Sequence, residues 1–399
     1  MFKAILLLFV IFLRQILIYG LEKYILMLWR GDYMLKRFEV TYFKNFANRI
    51  ILDFTDVRDY RFNTCCIKDN LLNKIIIYGR NAVGKSNIGL ALFDITTHLA
   101  DKNVSPGLYD HYLNADSSSD FAEFRYDFQF EQIGISYVYR KTAVNSLVYE
   151  ELSIDGNKIF TYNFLKRKGD FTGLTAYVPS LNFEFREGNL SVLRYIVNNS
   201  KIEDIKPLSW LVRFVSNMLW FRSLDENRYI GYKTDSLDYL RFIFEKSNMK
   251  EFEKFLHKSG VDETLIAMEN PSGEKVLYFN KKKPLPFLKT ASNGTKALYT
   301  LFYWLKTSNE LSLLFIDEFD AYYHVELSET IVKMLETQQN YQTILTSHNT
   351  NLLSNRIMRP DCYFILTPDK LVSFANATDR ELREGHNLEK LYVSGEFDE

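Results

Sequence analysis

Apolar residues follow two rhythms along this chain, and the places where one gives way to the other predict its elements. Ile75, Ile76 and Ile77 form an unbroken β-branched run that predicts a buried strand. Ile88, Ala91, Leu92 and Ile95 then recur at helical spacing and predict a helix directly after it. Phe38, Val40 and Tyr42 alternate with polar neighbours and predict an early strand. Phe124, Tyr126, Phe128 and Phe130 alternate likewise, and Ile135, Tyr137 and Tyr139 repeat the pattern, so an antiparallel hairpin or meander is expected there. Leu313 to Ile316 and Thr343 to Leu345 are further short apolar strands. Leu298, Leu301, Phe302 and Leu305 mark the apolar face of a helix before them. Residues from about 156 to 285 are aromatic-rich and read as mainly helical, an insertion between two halves of one core.

The junctions between these elements carry the candidate chemistry. From Gly79 to Ser86 the sequence GRNAVGKS fits the phosphate-loop spacing, in which small residues let backbone N–H groups close around a nucleotide phosphate. Lys85 would reach the β- and γ-oxygens, Ser86 would ligate Mg²⁺, and the helix N-terminus would lie under the phosphates. The Leu313–Ile316 strand ends in Asp317 and Glu318. At the carboxyl end of a core strand, Asp317 would hold the Mg²⁺ shell while Glu318 orients and deprotonates the attacking water. His348 stands at the end of the next strand, where it can meet a γ-phosphate or the attacking water. Ser292, Asn293 and Gly294 precede a helix. They read either as an ordinary cap or as a second anion site, which implies a second protomer.

Composition limits the setting. The chain has 399 residues, 47% hydrophobic and 25% charged, which is enough for a large core and two or three subdomains. A formal net charge of −1 gives no global basic field for nucleic acid. The runs Lys166-Arg167-Lys168 and Lys281-Lys282-Lys283 could form local nucleic-acid patches, but such runs are more often solvated loops. Cys65, Cys66 and Cys362 show no CxxC spacing, which fits a reducing cytosol and argues against a disulfide scaffold or a zinc site. Residues 4 to 13 are wholly apolar, but Arg14, Glu22 and Lys23 interrupt any membrane span of ~20 residues. Three readings of this leader stand open: an over-extended start with Met34 as the true initiator, an interfacial helix, or a helix packed on the core. The chain thus divides into a leader at 1–33, a first core half at 34–155, a mainly helical insertion at 156–290 and a second core half at 291–399.

The order GRNAVGKS, SNG before a helix, LLFIDE, FDAYYH and TSH resembles the ABC-type ATPases of the SMC, RecF and OLD group. More narrowly, it resembles the AAA ATP-binding proteins of bacterial abortive-infection and phage-defence operons. The resemblance runs from residue 34 to about 390 and includes Asn81 and Asn87 as typical additions to the phosphate loop. It implies an α/β fold: a P-loop NTPase with an ABC-type core, built of a mixed sheet, an antiparallel β subdomain and the insertion. It implies ATP and Mg²⁺ as cofactors. It also makes Ser292 to Gly294 the signature loop, Asp320 the D-loop and His348 the switch histidine. ATP would be held between two chains of a homodimer or higher oligomer. The signature departs from the LSGGQ form, and no convincing Q-loop appears; Gln129 and Gln132 are the nearest candidates. The insertion is too short for an SMC-type arm, since a helix of ~50 residues spans ~75 Å. Too little chain follows His348 for the nuclease domain of OLD proteins.

Three functions compete. The first is a cytoplasmic ATPase sensor or scaffold whose effector, a nuclease or toxin, is a separate chain. The second is a RecF-like DNA-repair ATPase that clamps nucleic acid. The third is a transporter ATPase, which would need a conventional signature and Q-loop. A membrane role depends on residues 1–33 being genuine.

Overall fold

The computed structural model describes residues 33–100, 106–175, 177, 190–200, 205–222, 228–231, 236–245, 247–270, 272–307 and 310–397. The apolar leader therefore lies outside the described residues, apart from Tyr33. Two seven-stranded sheets carry the fold. The antiparallel sheet has the order β10-β9-β8-β7-β6-β1-β2, formed by Lys168–Asp170 (β10), Asn157–Asn163 (β9), Ser146–Ile154 (β8), Ile133–Ala143 (β7), Ala122–Phe130 (β6), Tyr33–Thr41 (β1) and Ile50–Asp53 (β2). The central sheet has the order β12-β11-β16-β17-β5-β18-β19. These are Arg228–Gly231 (β12), Met218–Arg222 (β11), Leu313–Asp317 (β16), Gln342–Thr346 (β17), Lys74–Tyr78 (β5), Tyr363–Leu366 (β18) and Leu371–Ser373 (β19). A three-stranded sheet of Leu265–Glu269 (β13), Lys275–Phe279 (β14) and Leu285–Pro286 (β15) and a ribbon of Ile67–Lys68 (β3) with Leu71–Leu72 (β4) complete the strands.

The five inner strands of the central sheet, β11, β16, β17, β5 and β18, pair in parallel. Strands of a parallel sheet are covered on both faces, which is why the runs at 75–77 and 313–316 read as unbroken apolar stretches. Alternate side chains go to opposite covers. Trp220 and Phe315 meet Phe93 of the Lys85–Leu99 helix, at ring-centroid distances of 5.7 and 6.4 Å. Leu219, Phe221, Leu314 and Ile316 face the other way, with Leu301, Trp304 and Leu305 of the Asn293–Thr307 helix.

The Lys85–Leu99 helix is clamped between both sheets, so it is buried nearly all round rather than along the single face expected from sequence. Tyr126 on β6 donates its hydroxyl to the carbonyls of Ala91 and Leu92 at 2.9 and 3.1 Å. At the centre of this contact Lys141 on β7 donates to Asp94 at 2.6 Å, and neither side chain is exposed at all. Tyr112 and Tyr139 also donate to Asp94, both at 2.9 Å, and Lys141 reaches Thr97 at 2.8 Å. A second buried carboxylate, Glu150 on β8, accepts from Tyr137, from the Ser191 hydroxyl and from the N–H groups of Val192 and Leu193. It thereby ties the start of the Val192–Asn199 helix to the sheet.

The stretch 156–290 carries helices at Val192–Asn199, Lys206–Ser216, Ser236–Arg241 and Asn248–Lys258, but it also interleaves with the core. β9 and β10 extend the antiparallel sheet past residue 155, and β11 enters the central sheet beside β16. Among the described residues no helix is long and apolar enough to cross a membrane.

At the amino end of β5, Lys74 is buried and donates to the Tyr341 carbonyl at 2.6 Å. Burial lowers its pKa to about 7. Nearby Glu336 is raised from 4.5 to about 8 by burial and by Cys65, whose sulfur lies 3.9 Å from its carboxylate. A carboxyl raised in the folded state favours folding while it stays protonated, and that contribution is lost as pH rises through the folded value. Glu336→Gln should therefore gain melting temperature relative to the parent progressively from pH 5 to pH 8, and little below pH 5. A difference that is flat with pH in thermal melts would refute this account.

Candidate functional site

Parallel pairing brings the carboxyl ends of β5, β16 and β17 to one edge of the sheet, and the residues leaving those ends meet there. After β5 the chain forms the loop Gly79 to Gly84 and enters the helix at Lys85. Two glycines in it are dictated by space and backbone. A Cβ on Gly79 would fall 2.8 Å from the Leu366 carbonyl oxygen. Gly84 has φ +105°, and a Cβ there would fall 2.4 Å from the Asn45 amide nitrogen.

Lys85 is 6% exposed, and its Nζ donates to the carbonyls of Gly79 at 3.1 Å and Arg80 at 3.4 Å. The same nitrogen lies 2.6 Å from Nε2 of His348, and that ring nitrogen is 3.5 Å from Oε1 of Glu318. The base, the histidine and the phosphate-loop lysine expected from sequence are thus in one contact group. Burial lowers the lysine pKa, opposed by the charges of Glu318, Asp317 and Asp320.

Thr346, the last residue of β17, organises the two acids. Its hydroxyl donates to Asp317 at 2.7 Å and accepts the backbone N–H of Glu318 at 2.7 Å. Glu318 itself has φ +46°, in the left-handed region that a non-glycine residue adopts only when its surroundings hold it. Asp320 is linked to the same edge, because Ser347 donates to its carboxylate at 2.8 Å. Burial raises the Asp320 pKa, and the Ser347 hydrogen bond opposes that rise.

Ser86 and Asn87 open the helix just after the lysine, and Asn81 is exposed on the loop. Asn87 donates its amide to Oδ1 of Asn45 at 2.7 Å, while Asn45 donates to the Val83 carbonyl at 2.7 Å. Ser292, Asn293 and Gly294 lie elsewhere. The Ser292 hydroxyl accepts the Thr295 N–H at 3.1 Å, as a helix cap does, and Gly294 packs on the backbone of Tyr322. Among the described residues these contacts are within the chain and do not reach the phosphate loop.

Gln129 and Gln132 are not placed as a Q-loop. Gln129 pairs with Met34 near the start of β1, whereas Asn45 follows the other end of that strand, and seven residues of strand separate the two ends by roughly 23 Å. Sequence reading also passed over Asn45 and Thr346. Asn45 sits in "FKNF" with no motif to mark it, while Thr346 could have been suspected from its place beside Ser347 and His348.

The family model described as "AAA domain, putative AbiEii toxin, Type IV TA system" matches residues 74–354, from β5 to beyond His348. The chain belongs to this AAA family. The matched span contains the phosphate loop, both acids and the histidine, so the resemblance read from GRNAVGKS, LLFIDE and TSH is borne out at the level of family. No curated protein matches this AAA-family chain. Among solved structures it is similar to the SMC head domain from Thermotoga maritima, at 13% identity and a TM-score of 0.41, covering 85% of this chain and 98% of that one. It is also similar to an Smc head bound to the C-winged helix domain of ScpA, at 12% identity and a TM-score of 0.42, covering 85% and 97%. A third similar structure is a Pyrococcus furiosus Smc head with an extended coiled coil, bound to the C-terminal domain of ScpA. It has 12% identity and a TM-score of 0.43, covering 86% and 96%.

The double role of Thr346 is open to test. Thr346→Val keeps the strand but strips buried Asp317 and the Glu318 N–H of a partner, which should cost about 1–3 kcal/mol in urea unfolding. Thr346→Ser should restore most of it. A valine variant as stable as the parent would show that the hydroxyl organises nothing.

Proposed function

We propose that this AAA-family protein binds and hydrolyses ATP with Mg²⁺. The observation that supports this reading most is the convergence of Lys85, Glu318 and His348 at one sheet edge, with Asp317 held beside them through Thr346. Gly79, Asn81, Gly84, Lys85, Ser86 and Asn87 would hold the nucleotide. The donor set fits a hard cation, because Ser86 supplies a hydroxyl and Asp317 a carboxylate whose other contact is a neutral hydroxyl. When bound, Mg²⁺ would neutralise phosphate charge. Among the described residues no three His, Cys, Asp or Glu side chains form a metal site by themselves, so nucleotide oxygens and water would complete the shell.

The chain's own residues divide the remaining work. Lys85 would leave the Gly79 and Arg80 carbonyls and His348 to meet phosphate oxygens. Glu318 would take the proton of the attacking water, and His348, once released by the lysine, would orient that water or the γ-phosphate. Ser292, Asn293 and Gly294 of a second copy, with Asp320 at the junction, would close the site in a homodimer. We read the whole as the cytoplasmic sensor or scaffold subunit of an abortive-infection system with its nuclease or toxin in a separate chain, a setting that the family description favours. The nucleic-acid clamp gains little support from the basic run, since Lys281 is paired with Glu263 at 2.7 Å.

Glu318→Gln should keep ATP binding and lower turnover by about 10²-fold or more, because a general base typically contributes about 10²–10⁴. Lys85→Ala should weaken binding itself in a titration with a fluorescent ATP analogue. Unchanged turnover in the glutamine variant would remove Glu318 from the base role.

The composite site calls for a mixing test. Asn293 is exposed, so Asn293→Asp adds a carboxylate facing the partner's phosphates without the clash that any side chain at Gly294 makes with Tyr322. Lys85→Ala and Asn293→Asp should each be nearly inactive alone and regain activity when mixed, up to about one intact site per mixed dimer. Full activity of Asn293→Asp alone would leave Ser292 to Gly294 as a helix cap.

A further inference from the structure

The loop between β1 and β2 is tied down most closely around Asn45, which is exposed, as are Asn48 and Arg49 further along it. Tyr42 and Lys44 both have left-handed backbones, at φ +60° and +48°. Phe43 and Phe46 are fully buried on either side of Asn45. The turn is tied to the segment 110–114 four times over. The Lys44 N–H donates to the Tyr112 carbonyl at 3.0 Å, Lys44 Nζ to the Asp110 carbonyl at 2.7 Å, the Asn114 N–H to the Tyr42 carbonyl at 3.0 Å, and the Asn114 amide to the Lys44 carbonyl at 2.7 Å. Two strained residues and two anchored phenylalanines thus hold Asn45 in one place, against the phosphate loop.

There its amide uses both ends at once. Nδ2 donates to the Val83 carbonyl, and Oδ1 accepts from the Asn87 amide, each at 2.7 Å. One contact lies before the lysine and the other after it, so Asn45 spans the turn from loop to helix. A trans peptide points its C=O and N–H in opposite directions. Turning the Val83 carbonyl onto Asn45 therefore aims the Gly84 N–H away from the β1–β2 loop. The packing of the Asn45 amide on Gly84 reinforces this choice, since no side chain could occupy that position.

We infer that Asn45 is a positioning residue for nucleotide binding, which holds the Val83–Gly84 peptide and the Asn87 side chain in the orientation that receives phosphate. The inference rests on the proposed nucleotide site. It makes Asn45 act on affinity rather than on the chemical step, because it contacts neither Glu318 nor His348. Only a carboxamide serves: aspartate keeps the acceptor for Asn87 but loses the donor and sets an anionic oxygen against the Val83 carbonyl.

The test uses the full-length chain, a fluorescent ATP analogue for binding, and steady-state turnover. Asn45→Ala should weaken binding about tenfold, the scale expected for two lost hydrogen bonds, and raise KM in step, with kcat changed less than twofold. Asn45→Asp, of the same shape, should weaken binding at least as much, and both variants should melt within a few degrees of the parent because the side chain is exposed. Asn87→Ala should weaken binding as well, and the Asn45→Ala/Asn87→Ala double variant should lose clearly less than the sum of the two single losses, since the two residues share one interaction. Parental affinity in Asn45→Ala, or a loss confined to kcat, would overturn the inference, as would fully additive effects with Asn87. Lys85→Ala, run alongside, separates the two ideas. If it abolishes binding while Asn45→Ala does not weaken it, only the role of Asn45 falls; if it leaves binding intact, the nucleotide site itself falls.

Discussion

Parallel pairing of β5 with β17 and β18 is the constraint on which the rest of this structure depends. It joins a strand near the start of the chain to two near its end and sets all three carboxyl ends at one edge. Once β16 is added beside β17, the phosphate loop, the two acids and the histidine have no other place to go. Their side chains arrive from three separate stretches of sequence, but their spacing is that of neighbouring strands, about 4.8 Å apart.

A second constraint fixes the helix that follows the loop. Held between two sheets, it cannot shift without disturbing the Asp94–Lys141 pair, and that pair has no solvent to fall back on. Burying two charges is costly unless geometry and further hydrogen bonds compensate. Here Tyr112, Tyr139 and Thr97 supply those bonds, and each comes from a different part of the antiparallel subdomain or the helix. The polar core therefore specifies how the subdomain docks, where apolar packing alone would tolerate sliding. The lysine at the site obeys a related rule. Buried among carbonyls and a histidine ring, it already has partners, so any phosphate must displace them rather than fill a bare charge.

The elements around the site were legible because their sequence signals are local. Three isoleucines before a glycine, or an apolar strand ending in two acids, state their structure within ten residues. The alternation in β6 and β7 was equally plain, since only one face of that sheet is buried. What escaped was set by distant partners. Met218 to Phe221 is a short apolar run inside a helical neighbourhood, and only pairing with β16 makes it a core strand. The Lys85–Leu99 helix showed one apolar face, but a second sheet buries the rest through Tyr126 and Lys141, which lie 35 and 47 residues away from their partners in the helix. Asn45 carried no pattern, because its role depends on a turn that brings it to Val83 across 38 residues of separation.

The same strand order has a consequence for how the protein is made. β5 leaves the ribosome with neither parallel neighbour in existence, and β17 follows some 270 residues later. At about 5–20 residues per second, that interval is roughly 15–50 s. During it, three adjacent isoleucines and their unpaired backbone amides are available to any passing strand edge. Cells that make this chain face a holding period in which a chaperone, or the early antiparallel sheet folding over the nascent helix, must keep that strand from pairing with a strand of another molecule.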